Sequence, residues 1–467
     1  MNFSANDLKS YRANELSRGQ STLEILIALA ILTIALSTII VVAVGNQSVS
    51  VDTENSHQAL YLAQENLEDA KVMAKADFSS LVTSTSTSGI YTNTITATDI
   101  TLYKKQVVST VTWQTDPLRV QKVELATIIS DAGNIGGDDG GGGLTGDWRN
   151  PHTLGSVDLG PGNSATGLDV INKIIFMSAE ASAAAKPDFF IVNATDGQSP
   201  FIVSSLNTGP SLNAVDAALN YAYVANASTS SQLQIIDISN QASPTVSASF
   251  QLPGVSGPGA IGKSIFYYDS KIYIGTDKAT GPEFHIVDVS DPSFPVSLGS
   301  FEANADVNAI MINGTKAYIT TSDDIKEMRI LDVSNLAGIS ELSNYNGAGG
   351  NDGKGLWLVN TNLFLGRLVG DKELTILNIA MPETIQEIGS VEVNADVNAL
   401  YVRDYLAFSG TTDSNKEFQI WNISDPSDII FWSSLNFPQV LSDMDYEDNI
   451  IYAAVRSNDA LRIITSQ

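Results

Sequence analysis

The sequence repeats itself, and the repeat limits the fold more than any other feature. Segments of one type recur from the middle of the chain to its end: FFIVNAT, LQIIDIS, FHIVDVS, MRILDVS, LTILNIA, FQIWNIS and LRIITSQ. They are anchored at Asn193, Asp237, Asp288, Asp332, Asn378, Asn422 and Thr465, at spacings of 44, 51, 44, 46, 44 and 43 residues. Two more strand-like segments travel with each copy. One set is GLDVI, LNAVDAAL, KSIFYY, VNAIMI, KGLWLV, VNALYV and SDMDYE. The other is KIIFMS, YAYVAN, KIYIGT, KAYITT, NLFLGR, YLAFSG and IIYAAV. A multi-stranded unit of this period, returning seven times, predicts a seven-bladed β-propeller over residues 151–467. Runs such as IIFM, YAYV and IYIG are apolar on both faces, as strands sandwiched between neighbouring blades must be. The one long interval contains the loop PGVSGPGAIG.

The order of segments also predicts how the ring closes. The first copy starts with an outer-type strand, Thr153 to Val157, and the last copy ends on an inner-blade strand, Leu461 to Thr465. The N-terminal strand should therefore complete the last blade and remove the open edge. The run IVDVSDPSFP, Ile286 to Pro295, resembles the LVIVD-repeat family of surface propellers. That resemblance covers essentially all of residues 151–467 and implies a fold and a surface setting, with no defined activity.

A different logic governs the N-terminus. Gly19-Gln20-Ser21-Thr22-Leu23-Glu24 precedes a stretch from Ile25 to Val44 that carries no charge. Such a helix crosses a bilayer core of about 30 Å. Glu24 lies just inside it, where a lone carboxylate is costly and usually functional. Lys9, Arg12 and Arg18 on the other side favour a cytoplasmic end. This arrangement resembles the processing site of type IV prepilins and pseudopilins. The resemblance implies a prepilin peptidase that cuts between Gly19 and Gln20, and a role for Glu24 in assembly with other pilin or pseudopilin subunits. It also implies residence in the inner membrane as a single-pass protein before assembly, with the C-terminal domains outside, and then at the cell surface or in a pilus or pseudopilus. Gln20 stands where the family usually has Phe, which bears on N-methylation.

The expected fold is thus mainly β: a seven-bladed propeller preceded by a long N-terminal α-helix, transmembrane in its first half, and a small antiparallel β head. Residues 1–19 form the leader. Residues 20–78 form the helix, roughly 85 Å long at 1.5 Å per residue; Leu60, Ala63, Leu67, Ala70 and Ala74 make its apolar stripe. Residues 79–131 form the head. Val107, Ser109, Val111 and Trp113 alternate on one face, and Val123, Leu125, Thr127 and Ile129 alternate after a turn at Thr115-Asp116-Pro117. That gives two long antiparallel strands, a pairing that resembles the head of certain minor pilins. The Ser/Thr-rich LVTSTSTSGIYTNT reads as a loop with weak strand character. Residues 132–150 are rich in Gly and Asp and read as a tether spanning about 25 Å.

Composition narrows the function. A net charge of -27 argues against nucleic acid and against anionic membrane surfaces as ligands. The chain has no cysteine and three histidines, which leaves few general bases near neutral pH. GPGAIGKS, Gly257 to Ser264, has the spelling of a phosphate-binding loop but joins two strand copies, where no helix follows to cradle phosphate. Asp323, Asp324, Asp371 and Asp413 lie in acidic loops on one face and are the candidates for calcium; the alternative is that they cap turns. No catalytic constellation stands out. The reading is a non-enzymatic pilin-like surface protein that displays the propeller as an interaction or adhesion module for an extracellular protein or glycan. The alternative is an exported carboxylate-based hydrolase, which would need paired carboxylates at the ring axis about 5 to 10 Å apart. Mass spectrometry of the assembled protein checks the processing site: the mature chain should begin at Gln20, and an uncut leader or another N-terminus would contradict it.

Overall fold

A computed structural model describes residues 55–74, 81–101, 104–116, 119–130 and 143–467, which divide into two compact units. Gly19, Gln20, Glu24 and the apolar run after them lie outside the described residues. Among the described residues no helix is long and apolar enough to cross a membrane.

In the smaller unit, residues 55–74 are helical. The buried stripe is Ala59, Ala63, Leu67, Ala70 and Ala74, while Leu60 is 38% exposed. The stripe therefore begins one residue earlier than the sequence spacing suggested. Small alanines let the helix lie close to a sheet of four strands, β1 (Ser84–Ser88), β2 (Tyr91–Thr101), β3 (Lys104–Asp116) and β4 (Arg119–Ser130), hydrogen-bonded in that order. Ala59 and Ala63 pack with Tyr91, Val111 and Trp113, and Val123 and Leu125 cover the edge of this cluster. The face expected from alternation, Val107, Ser109, Val111 and Trp113, is buried. The Ser/Thr-rich stretch is not a loop. It forms the hairpin of β1 and β2, turning at Gly89, whose φ of 62° suits a residue without a Cβ. Every side chain of β1 is exposed, so it carries no apolar alternation to read.

The larger unit is a propeller of seven four-stranded antiparallel sheets. After β5 (His152–Asp158), the first blade is β6 (Asn163–Ile171), β7 (Ile174–Ala181), β8 (Phe189–Asn193) and β9 (Phe201–Leu206). The six later blades begin with the inner strands Leu212–Ala218, Gly262–Tyr268, Val307–Asn313, Gly353–Val359, Val397–Arg403 and Leu441–Glu447. Each inner strand packs against the next, and the last packs against β6, so the ring is closed. The final sheet takes its outer strand from the start of the unit. Antiparallel β5 pairs with Asp459–Thr465 in the register Leu461↔Val157, Ile463↔Gly155 and Thr465↔His152. Apolar clusters fill the spaces between blades. Phe176, Phe189 and Ile191 of the first blade, for example, meet Leu212, Val215 and Val224 of the second.

The repeat signature has a local cause. The Asp or Asn that ends the third strand in the first six blades accepts the amide two residues on, as Asn193 does from Thr195, Asp237 from Ser239, Asp288 from Ser290 and Asp332 from Ser334, these four at 2.8–2.9 Å. These turns direct the chain into the outer strand.

Residues 143–150 depart from the expected tether, because the segment is docked on the propeller. Trp148 is only 2% exposed and meets the Phe408 ring edge-on at 5.0 Å. Its Nε1 and the Thr145 amide both donate to Asn449 Oδ1, at 3.2 and 2.9 Å. The Leu144 amide donates to Asp404 Oδ2 at 2.7 Å, and the Asp147 amide to the Gln467 carbonyl at 2.8 Å. The reason lies in composition: the glycine run stops at Gly143, and a large aromatic with one polar handle follows. Asp404 and Asn449 sit in turns that follow the inner strands, so this strap lies on the lower face, where those strands end. Trp148→Ala should cost about 3–5 kcal/mol of propeller stability, as large-to-small changes at buried aromatics do. Urea unfolding of the full chain measures it.

Candidate functional site

The inner strands place one side chain per blade at the upper end of the ring axis. Each strand breaks register near its start: between Ala165 and Gly167, Leu212 and Ala214, Gly262 and Ser264, Val307 and Ala309, Gly353 and Leu356, Val397 and Ala399, and Leu441 and Asp443. A bulge re-aims the extra residue. Here those residues are Thr166, Asn213, Lys263, Asn308, Lys354, Asn398 and Ser442, and all seven line a cavity of about 530 Å³.

Most of this ring holds blades together. Thr166 Oγ1 donates to the Leu212 carbonyl at 2.7 Å, Asn213 Nδ2 to that of Gly262 at 2.6 Å and Asn308 Nδ2 to that of Gly353 at 2.7 Å. Ser442 Oγ closes the series on the Ala165 carbonyl at 3.1 Å. Each acceptor directly precedes the next blade's ring residue.

The lysines depart from this pattern. In the third blade the bond to the following blade is made by Ser264 Oγ, which donates to the Val307 carbonyl at 2.8 Å. Lys263 is released to pair with Asp277 and, at 2.7 Å, with Asp306. Burial works against its charge, but the hydrogen bonds to those two carboxylates prevail and raise its pKa. Lys354 has Asp352 at 3.8 Å. Burial, and then repulsion from Lys263, lower its pKa. Arg456 also lines the mouth and pairs with Glu180 at 2.7 Å. The GPGAIGKS stretch is resolved by the same geometry: Gly262 opens an inner strand, and Lys263 belongs to the ring.

Below the ring the channel narrows to about 220 Å³. Here six blades offer Gly167, Ala214, Ser264, Ala309, Gly355 and Ala399, while the seventh offers Asp443. Its Oδ2 accepts the Leu168 amide at 3.0 Å, and its Oδ1 the Met444 amide at 2.9 Å. Asp443 is half-buried at the channel wall, and desolvation there pushes its carboxyl up to about 7. Lower still, Asp169 Oδ2 accepts the Ala217 amide at 2.6 Å, Asp216 Oδ2 that of Tyr267 at 2.6 Å, and Asp445 Oδ2 that of Val170 at 2.9 Å. Asp169 and Asp445 also hydrogen-bond each other, and burial raises the Asp169 pKa. Carboxylates do gather on the axis, but these oxygens are committed to backbone amides, most of them across a blade boundary.

The acidic loops are not a metal cage. Asp323 Oδ2 takes Arg329 at 2.7 Å and its Oδ1 caps the Ile325 amide at 3.1 Å. Asp413 Oδ1 caps Asn415 at 2.9 Å, and the Asp371 carbonyl accepts Arg367 Nη1 at 2.5 Å. With Asp324 they belong to loops of three different blades. Among the described residues no group of three or more His, Asp or Glu is placed to hold a metal ion. His285 is fully buried, with Nε2 on the Pro282 carbonyl at 2.7 Å, and burial lowers its pKa to about 4.

Four acids in those loops have a role that sequence reading missed. Glu283, Glu327, Glu373 and Glu417 are at most 3% exposed. Glu283 Oε2 accepts the amides of Ala303 and Asn304 at 2.9 Å, Glu373 Oε2 that of Val393 at 2.7 Å, and Glu417 Oε2 that of Phe437 at 2.7 Å. They tie each third strand to the segment that leads into the next blade. Their signal was positional: each directly precedes the recurring strand, in EFHIVD, EMRILD, ELTILN and EFQIWN.

Comparison with known proteins agrees with this architecture. The LVIVD repeat matches residues 214–251, 273–303 and 305–347, so the propeller carries LVIVD repeats. Similar solved structures include a chain of the mitotic checkpoint complex, with 15% identity over 68% of this chain and 95% of that one and a TM-score of 0.52. The Cps50 (Swd1) β-propeller domain of Myceliophteria thermophila is 10% identical over 68% and 100%, with a TM-score of 0.50. Virginiamycin B lyase from Staphylococcus aureus is 14% identical over 68% and 98%, also with a TM-score of 0.50. These likenesses are of fold alone. No curated protein matches the chain.

The Asp443 environment makes stability depend on pH. A carboxyl whose pKa is raised on folding contributes stability that is complete below the unfolded value of about 4 and is lost as pH rises through about 7. Thermal melts at pH 5 and pH 8 should therefore differ less in Asp443→Asn than in the parent, by several degrees on the scale of about 2–4 °C per kcal/mol. An identical pH dependence would contradict the assignment.

Proposed function

We propose that the chain is a pilin-like surface protein whose propeller is a non-enzymatic binding head. The N-terminal sequence supports the first half of this reading. Gly19, Glu24 and the uncharged run to Val44 have the arrangement of a prepilin processing and assembly segment. The prepilin peptidase and neighbouring pilin subunits are its implied partners, and the inner membrane its site before assembly.

One observation carries the second half: the docked strap. Residues 143–150 bring the chain onto the lower face, at Asp404, Asn449 and the C-terminus. The upper face, with its cavity and the loops around it, is left at the opposite end of the ring axis. The strap occupies part of the lower face and does not reach the upper cavity. The lower carboxylates are occupied with holding blades together, so the upper mouth is the better binding site. Volume does not decide between them: the upper cavity holds about 530 Å³ and the lower one about 710 Å³, both within the range of small-molecule pockets.

A filament core needs only the helix and a compact head, so the propeller should be dispensable for assembly. Ending the chain after Asp131 should preserve export and incorporation and abolish adhesion or partner capture. Cell-surface immunolabelling and an adhesion assay read the two outcomes separately. Full binding by the truncated chain would sink the display reading, as would failure of assembly without the propeller.

A further inference from the structure

The inner strands carry one further tier of side chains, two residues beyond the neck and so on the same strand face. It divides into two chemistries. Three successive blades, the last, the first and the second, place Asp445, Asp169 and Asp216 in it. The other four place Phe266, Met311, Trp357 and Tyr401 there. Both groups lean on the next blade. The carboxylates accept its backbone amides, while the others pack on it, as Trp357 does on Tyr401 with ring centroids 4.1 Å apart.

This tier opens into a cavity of about 710 Å³ at the lower end of the axis. All of its members except Tyr401 line that cavity, and Tyr267, Tyr268 and Leu219 continue the apolar wall downward. Leu219 stands at the rim, 86% exposed. The strap, residues 143–150, contributes nothing to the lining. Neither does any Lys, Arg or His among the described residues.

The cavity wall thus holds carboxylates and no counter-charge. An amide satisfies a carboxylate lone pair but brings no net charge. Burial raises the Asp169 pKa even though the Ala217 and Val170 amides and Asp445 all hydrogen-bond to it. Asp443, in the tier above, adds to the same field. The opposite half of the tier offers aromatic faces and a thioether. A monovalent cation with an apolar body gains on both sides, by attraction to the acids on one and by cation–π contact and burial on the other. A bare metal ion would gain on one side only, and no group of three acids among the described residues is placed to hold it. An anion would be repelled.

We propose that the lower cavity binds an organic ammonium ion, with its charge beside Asp169 and Asp216 and its apolar body on Phe266, Tyr267 and Trp357. This goes beyond the display reading, whose partner is assigned to the upper mouth, and does not rest on it.

Calorimetric titration of the full chain tests the proposal, with benzyltrimethylammonium as probe. Its charge does not depend on pH, and benzyl alcohol and benzoate present the same ring with no charge and with the opposite one. The cation should bind, more weakly as salt rises. The alcohol and the anion should each bind at least about tenfold more weakly, a difference of about 1.4 kcal/mol. Asp216→Asn keeps an oxygen for the Tyr267 amide and should weaken the cation by about tenfold. Trp357→Leu should weaken it by about threefold or more, and Trp357→Phe should keep most of the affinity. Thermal melts establish that each variant folds. The proposal is overturned if the cation fails to bind, if benzyl alcohol or benzoate binds as tightly, or if either folded Asp216→Asn or folded Trp357→Leu binds the cation unchanged.

Discussion

The pairing of β5 with Asp459–Thr465 is the interaction on which the propeller depends. Seven sheets laid side by side leave two raw edges unless the last is completed by the first. Here strand pairing and packing act together at that seam. Val157 and Leu159 join Tyr452, Leu461 and Ile463, and the same cluster runs on into Leu168 and Met177 of the first blade. The seam is therefore filled by an apolar cluster of the same kind as those between the other blades. The strap adds a second hold beside the first, through Trp148 and the C-terminal Ser466 and Gln467. With no cysteine in the chain, closure rests on hydrogen bonds and packing alone.

Some of the acids are internal, and these have structural roles that composition does not show. Glu283, Glu373 and Glu417 accept amides at the passage from blade to blade, and Asp443, Asp445 and Glu447 fasten the last inner strand to β6 and the turn that follows it. Each amide so held would otherwise be a buried donor without a partner. The arrangement explains why carboxylates crowd an axis that the display reading treats as non-catalytic. It also makes the seam at Asp443 sensitive to pH, since burial there favours the protonated carboxyl.

The blades were legible because each repeats the same physical problem. A strand buried on both faces must be apolar throughout, and a turn after it must be capped, so IVDVS and its relatives recur in register. Ring closure was legible because the strand order left a spare outer strand at the start of the repeats and a last blade lacking one. The strap was not, since Trp148 follows a glycine run that dominated the local composition. The β1–β2 hairpin was hidden because its exposed Ser and Thr side chains show no alternation. The ring at the upper mouth was hidden for a related reason. Its members occupy bulges, and a bulge is a property of register that no residue type announces. Of the four acids weighed for calcium, Asp323 and Asp413 cap turns, the alternative that their loops also suggested, while the buried acids that join blades were the glutamates a few residues further on.

Hydrogen exchange of the full chain tests ring closure most directly. The account predicts that the amides of Asp459–Thr465 are protected as well as those of the other third strands, because β5 pairs with them. Exchange of that strand as fast as an open sheet edge would contradict it.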